Sequence, residues 1–209
     1  MLVHGLGVSG RYLLPTARAL AAERTSYVPD LDGLTVRERA DELDGLLAGL
    51  RLERPPLLGN SMGCQVLVDL AARRPDRVGP LILVGPTTDP RLRTLPRHAA
   101  ALLRDWTREL VLTPVALRDY AAFGPLRFLR AARLLLQDRP EEKLPLVQAP
   151  VLVVRGERDG FVSREWAEEA ARLAPHGRFA EVPRCAHAVN YTAPETLARL
   201  TLDFLEEVE

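Results

Sequence analysis

The sequence predicts an α/β fold, a doubly wound and mostly parallel sheet carrying a helical insertion. Short apolar runs alternate with helical patterns over residues 1–87 and again over 146–209. The runs themselves, such as Pro80-Leu81-Ile82-Leu83-Val84-Gly85 and Val151-Leu152-Val153-Val154, are apolar without alternation. Parallel strands covered on both faces have that pattern. Between them, over residues 88–145, no strand is expected. That segment holds helical stretches at 97–112 and 114–137, with Pro96, Pro114, Pro125 and Pro140 as breaks. The expected division is therefore a core of residues 1–87 and 146–209 and an insertion of 88–145.

A chain of 209 residues suits one such domain and buries a substantial core. Its formal net charge is zero, which gives no reason to expect nucleic acid or an anionic membrane as partner. No apolar run reaches the ~18 residues of a membrane span, and no leader is expected. Two cysteines, Cys64 and Cys185, make no disulfide framework, so a cytoplasmic setting is expected. The four histidines, His4, His98, His176 and His187, lack ligand spacing, so neither a metal nor another cofactor is expected.

In chain order, Leu2-Val3-His4 is a short strand. It enters the glycine-rich turn Gly5-Leu6-Gly7-Val8-Ser9-Gly10, and residues 12–23 read as a helix. Two readings of this turn compete. Gly5-x-Gly7-x-x-Gly10 is a dinucleotide fingerprint, with Asp30 or Asp32 placed for the ribose after a strand at 26–29. His4-Gly5-x-Gly7 is also the loop that supplies an oxyanion N–H in acyl transfer. Thr35-Val36-Arg37-Glu38 is a capping box, and the helix it opens carries Ala40, Leu43, Leu47 and Leu50 on one face. Ser163 to Ala174 is a further helix, 178–183 a last strand, and Leu197, Leu200, Phe204, Leu205 and Val208 are the core face of a final helix.

The chemistry centres on Leu57-Leu58-Gly59-Asn60-Ser61-Met62-Gly63. A strand ends in Gly-x-Ser-x-Gly and passes straight into a helix. Such a turn forces the serine into a strained backbone and lifts its hydroxyl above the sheet, while Cβ atoms at 59 or 63 would strike the neighbouring elements. The helix start behind it offers N–H groups to a developing oxyanion. Only the oxyanion reading of the first loop predicts such an elbow two strands later. Asp159 follows a strand's carboxyl end, where ligand sites of parallel sheets lie. His187 lies in a loop one strand–helix–strand unit further on.

The order Ser61, Asp159, His187, together with His4-Gly5-Leu6-Gly7 and the insertion, resembles the α/β-hydrolase superfamily over essentially the whole chain. The resemblance implies a serine hydrolase of the carboxylesterase type, with a helical cap over the site. Gly59-Asn60-Ser61-Met62-Gly63 is also similar to carbon–carbon bond hydrolases of ring-cleavage products. Ser61 would be the nucleophile, His187 the base and Asp159 its orienting carboxylate, with the N–H groups of Leu6 and Met62 as oxyanion donors. Asp89 is a second, lower-ranked acid. Around the substrate are expected Gly5, Asn60, Trp106, Phe123, Phe161 and Val189. The family usually has two strands before the one ending in His-Gly, and this chain lacks them. The edge at 26–29 is then bare, and either an upstream segment or a partner, such as the second copy in a homodimer, would cover it. The expected ligand is a small-molecule ester with an apolar acyl part. A dinucleotide-binding protein and a non-catalytic binding module are the readings from other classes.

Overall fold

The computed structural model describes residues 1–91 and 93–208, and leaves out the side chains of His98, Leu102, Asp105 and Trp106. Five strands form one sheet: β1 (Leu2–Val3), β2 (Leu57–Asn60), β3 (Leu81–Val84), β4 (Val151–Gly156) and β5 (Gly177–Val182). They lie side by side in chain order, every neighbouring pair parallel. The connecting helices are α1 (Leu14–Leu20), α2 (Val36–Gly49), α3 (Met62–Arg73), α4 (Leu95–Trp106), α5 (Thr113–Phe123), α6 (Pro125–Leu135), α7 (Pro140–Lys143), α8 (Arg164–Leu173), α9 (Val189–Thr192) and α10 (Pro194–Val208).

Both faces of the sheet are covered, which accounts for its unalternating strands. Val3, Leu57, Leu81, Leu83, Val151 and Val153 pack with residues of α2, α3 and α8. Their alternate neighbours Leu2, Leu58, Ile82, Val84, Leu152 and Val154 pack with residues of α1, α9 and α10. Successive side chains of a strand point to opposite faces, so each run needs apolar residues at every position. The capping box forms as expected. Thr35 Oγ1 accepts from the Glu38 N–H at 3.1 Å, and Glu38 Oε2 accepts from the Thr35 N–H at 2.9 Å. Ala40, Leu43 and Leu47 are buried, but Leu50 lies past the last turn and is exposed. In α10, Leu197, Phe204 and Leu205 are buried and Leu200 and Val208 pack at the margin.

The strand expected at 26–29 does not form. One ladder-like bond remains, from the Leu2 N–H to the Tyr27 carbonyl at 2.8 Å. Its neighbour β1 is only two residues long, and Pro29 has no N–H to offer a ladder.

Among the described residues, the chain runs from β3 to β4 through α4 to α7 without a strand. The far end of this segment is pinned to α3. Lys143, the sole lysine in the chain, lies 2.8 Å from Asp69 and also pairs with Asp138. Among the described residues no helix is long and apolar enough to cross a membrane.

Candidate active site

Ser61 stands between β2 and α3 with φ 56° and ψ −121°. For a residue with a Cβ this backbone costs about 1–3 kcal/mol, held by its surroundings. The tightness is measurable: a Cβ on Gly63 would lie 2.3 Å from the Val3 carbonyl, and one on Gly59 2.6 Å from the Gly63 backbone. The Ser61 N–H donates to the Val84 carbonyl at 2.9 Å, which ties the turn to β3. Cys64, in the first turn of α3, is buried and directs its thiol at the carbonyls of Gly59 and Val84. Burial raises its pKa well above the usual thiol range, so it is an inert packing group.

His187 and Asp159 meet over the carboxyl ends of β3 and β4. His187 Nδ1 is 2.8 Å from Asp159 Oδ2, and the other oxygen, Oδ1, accepts from the N–H groups of Phe161 at 2.8 Å and Val162 at 3.0 Å. A carboxylate only accepts, so Nδ1 is the donor and, in that tautomer, Nε2 is the unprotonated nitrogen. The pair depends on a residue the sequence reading passed over. Gly85 has φ +58°, and a Cβ there would lie 2.9 Å from the His187 ring and 3.2 Å from Asp159 Oδ2. Arg155 was also missed. It is buried, and it bonds to the carbonyls of Val162 at 2.7 Å and Asp159 at 3.3 Å and to Glu181 at 2.6 Å. It therefore holds the whole Asp159 loop. The signal was an arginine inside an otherwise apolar strand. Asp89 is engaged elsewhere: Oδ1 accepts from the Arg91 N–H and Oδ2 from the Ser163 hydroxyl that caps α8.

The glycine-rich turn does not fit a pyrophosphate. Its Ser9 N–H and hydroxyl both donate to Asp119 Oδ2, at 2.8 and 2.7 Å, and its Gly10 N–H donates to Asp30. The donors a phosphate would need are taken by carboxylates, which would repel it. Asp30 thus serves the turn and not a ribose. Among the described residues no cluster of three or more His, Cys, Asp or Glu could hold a metal.

His4 sets the conformation of this loop. Its Nδ1 donates to the Gly5 carbonyl at 2.8 Å, and its Nε2 accepts from the Leu31 N–H at 3.0 Å. The accepting nitrogen carries no proton, so the buried ring is neutral. Burial lowers its pKa from 6.5, against a raising effect of the Gly5 bond. In the unfolded chain the ring titrates near 6.5, so below that pH the unfolded state binds a proton that the folded state resists. Stability from this group is complete above the unfolded pKa and is lost as pH falls from there towards the lowered folded value. Thermal melts at about pH 7.5 and about pH 5.5 should therefore differ more for the wild type than for His4→Gln.

A cavity of about 190 Å³ joins these parts. Ser61, His187, Gly5, Leu6, Asn60 and Phe161 line it from the sheet side, and Leu112, Ala116, Tyr120, Phe128, Leu129 and Leu135 from the segment between β3 and β4. Phe161 packs on the His187 ring at 4.7 Å between centroids. The buried amide of Asn60 donates to the carbonyls of Val84 at 3.2 Å and His187 at 3.4 Å, so it braces the His187 loop as well as lining the cavity. Two expected contacts fall elsewhere. Val189 is buried in the core on the α1/α10 face, because the chain already turns into α9 there. Phe123 does not line the cavity and instead lies under the Arg127 guanidinium at 4.5 Å. Among the described residues of the segment 88–145, the rings that do reach it are Tyr120 and Phe128, edge to face at 5.3 Å. They press on Gly7, where a Cβ would lie 2.8 Å from both. Trp106 was also expected here, but its side chain lies outside the described residues. The lining also holds polar groups that were not foreseen, Glu109 and Thr113 among them. Glu109 Oε1 accepts from the Ala188 N–H at 2.6 Å, and the buried Thr113 hydroxyl has no protein partner. Neither belongs to a recognisable motif, and only the folding of the segment brings them to the serine.

Residues 1–200 match the alpha/beta hydrolase family. The chain belongs to that family. It is an enzyme of the hydrolase class, and its relatives differ in the bond they cleave. It is 26% identical over 241 residues to a putative carbamate hydrolase of Yersinia enterocolitica, covering 98% of this chain and 86% of that protein. It is 28% identical to a 2-hydroxy-6-oxononadienedioate/2-hydroxy-6-oxononatrienedioate hydrolase of Paraburkholderia phymatum, covering 78% of this chain and 66% of that one. Among solved structures, a thermophilic esterase from Thermogutta terrifontis superimposes with a TM-score of 0.82 at 26% identity, over 99% of this chain and 89% of that one.

Proposed function

We propose that this hydrolase cleaves a small or medium ester with an apolar acyl part, by way of an acyl-enzyme on Ser61. The observation that carries the reading is the His187–Asp159 pair at 2.8 Å, opening on the same cavity as the strained Ser61. His187 takes the serine proton as the Oγ–carbonyl bond forms and returns it to the leaving group. Asp159 keeps the ring in the tautomer whose Nε2 carries no proton and can therefore accept one. Met62 opens α3, so its N–H has no partner within the helix, and Leu6 lines the cavity opposite. Their two N–H groups serve as oxyanion donors, each worth roughly 3 kcal/mol in the barrier. Water then releases the acid. Residues 88–145 act as the cap that excludes bulk water and shapes the acyl site.

The lining favours a neutral substrate. It holds no Arg or Lys among its described residues, and it holds the Glu109 carboxylate. A dicarboxylate, such as the compound for which the Paraburkholderia relative is named, would find no counter-charge there. The Thr113 hydroxyl, buried and without a protein hydrogen bond, is one polar contact for the substrate.

The test is a fluorophosphonate probe combined with a panel of chromogenic esters of increasing acyl length. The probe should label Ser61, and labelling at another residue overturns the proposal. In the same panel Phe128→Ala should move the preferred acyl length, because that ring faces the cavity. Phe123→Ala should leave the profile as it was.

A further inference from the structure

We propose that the outer face of the segment 88–145 is a docking surface for an anionic lipid bilayer. The inference goes beyond the ester reading and does not depend on it. It starts from the charge total, which was read above as giving no reason to expect an anionic membrane. That total averages two unlike parts. Residues 88–145 carry ten arginines and one lysine against seven carboxylic acids, an excess of four positive charges, and the rest of the chain carries four negative charges in balance.

The structure separates the signs further. Between residues 103 and 136, Arg104, Arg108, Arg118, Arg127, Arg130 and Arg133 are all exposed. The described acids of that stretch, Glu109 and Asp119, are buried. Among the described residues of that stretch, the exposed charged side chains are therefore all positive.

The same stretch also exposes apolar side chains. Six large apolar side chains among the described residues are more than half exposed, and five of them, Leu103, Leu110, Val111, Leu117 and Leu126, lie within residues 103–126. Val111 and Leu126 reach 76% and 84%. They are not side chains that failed to find the cavity, because their neighbours fill it. Leu112 lines the cavity while Leu110 and Val111 point outward, Ala116 and Tyr120 line it while Leu117 points outward, and Phe128 lines it while Leu126 points outward. The turn at Leu110–Leu112 packs on α5, and α5 on α6, so Leu110, Val111, Leu117 and Leu126 lie on adjoining elements.

Scattered exposed apolar residues need no explanation, but a concentration of them within a basic surface does. Leucine and valine among arginines is the composition that enters the headgroup region of an anionic bilayer, the side chains dissolving in the acyl boundary and the guanidinium groups meeting phosphate. A second copy fits less well, since a symmetric contact through this face sets the two positive patches against each other. The bilayer is therefore the occupant to which charge complementarity points.

Co-sedimentation of the full chain with vesicles of phosphatidylcholine, alone or mixed with phosphatidylglycerol, tests this. Binding is expected to the mixed vesicles, weakening as salt is raised, and little to phosphatidylcholine alone. The double variant Val111→Ser/Leu126→Ser should bind the mixed vesicles about tenfold or more weakly, because two apolar side chains no longer enter the acyl boundary. It should keep its melting profile and its turnover of a water-soluble short ester, since neither residue lines the cavity. Arg130→Gln/Arg133→Gln should lower the preference for the anionic vesicles. The proposal is overturned by any of four results: no binding to mixed vesicles, equal binding to both kinds, undiminished binding of the double variant, or a concentration-dependent doubling of mass that the double variant abolishes. Failure of the ester assay would leave the vesicle result standing, so the two readings are separately testable.

Discussion

Ser61→Ala is expected to lower ester turnover by about four orders of magnitude or more, leaving what the oxyanion donors and substrate binding supply alone. The fold should survive. The substitution removes one hydroxyl that caps nothing in α3, and alanine keeps the Cβ the turn already accommodates. The melting temperature should therefore stay near the wild type while turnover collapses. Steady-state kinetics with a short chromogenic ester, alongside a thermal melt, reads both. Retained turnover would move the nucleophile away from this elbow. Lost turnover with a large fall in stability would mean that the serine was structural.

Asp159→Asn is expected to cost about 10⁴-fold in kcat. An amide at that place can present its NH₂ to His187 Nδ1, which then accepts, so that Nε2 carries the proton and cannot take one from Ser61. Asn keeps the volume, and its oxygen can still receive the Phe161 and Val162 N–H groups, so the loop should hold. Asp89→Asn should change kcat by less than about tenfold, because its oxygens serve Arg91 and Ser163 and not the imidazole. Gly85→Ala should follow Asp159→Asn in direction, since the new methyl occupies the space of the His187 ring. Equal losses at 89 and 159 would show that neither carboxylate orients the histidine. The reverse ranking would assign the acid to position 89.

The parts that could be read directly were those where local chemistry and global position coincide. The elbow glycines are needed because backbone passes within van der Waals distance, and only glycine allows that, so the requirement is written in residue type. The same holds for the box at Thr35 and Glu38, whose reciprocal bonds span only three residues. The strand at 26–29 failed for the opposite reason. Strand formation needs a partner, and β1 is too short to provide one whatever the propensity of Ser26-Tyr27-Val28. Leu50 was misjudged by one residue, because helix ends depend on the cap and not on the period of the apolar face.

By itself, then, the sequence determined the parallel doubly wound sheet, the elbow and the chain order of serine, aspartate and histidine, since each rests on residue type and near-neighbour spacing. Only the tertiary structure decided that His187 meets Asp159 and not Asp89, that Gly85 and Arg155 make room for that pair and hold it, and that Tyr120 and Phe128, not Phe123, face the cavity. The reason is geometric. Which face of a helix turns inward, and which strand-end loop reaches a given ring, is set by packing between elements far apart in the chain, and no local pattern carries that information. The charge of the segment 88–145 could be counted from the sequence, but the burial of Glu109 and Asp119 could not, because sorting charge by depth requires knowing which side of the segment faces the cavity.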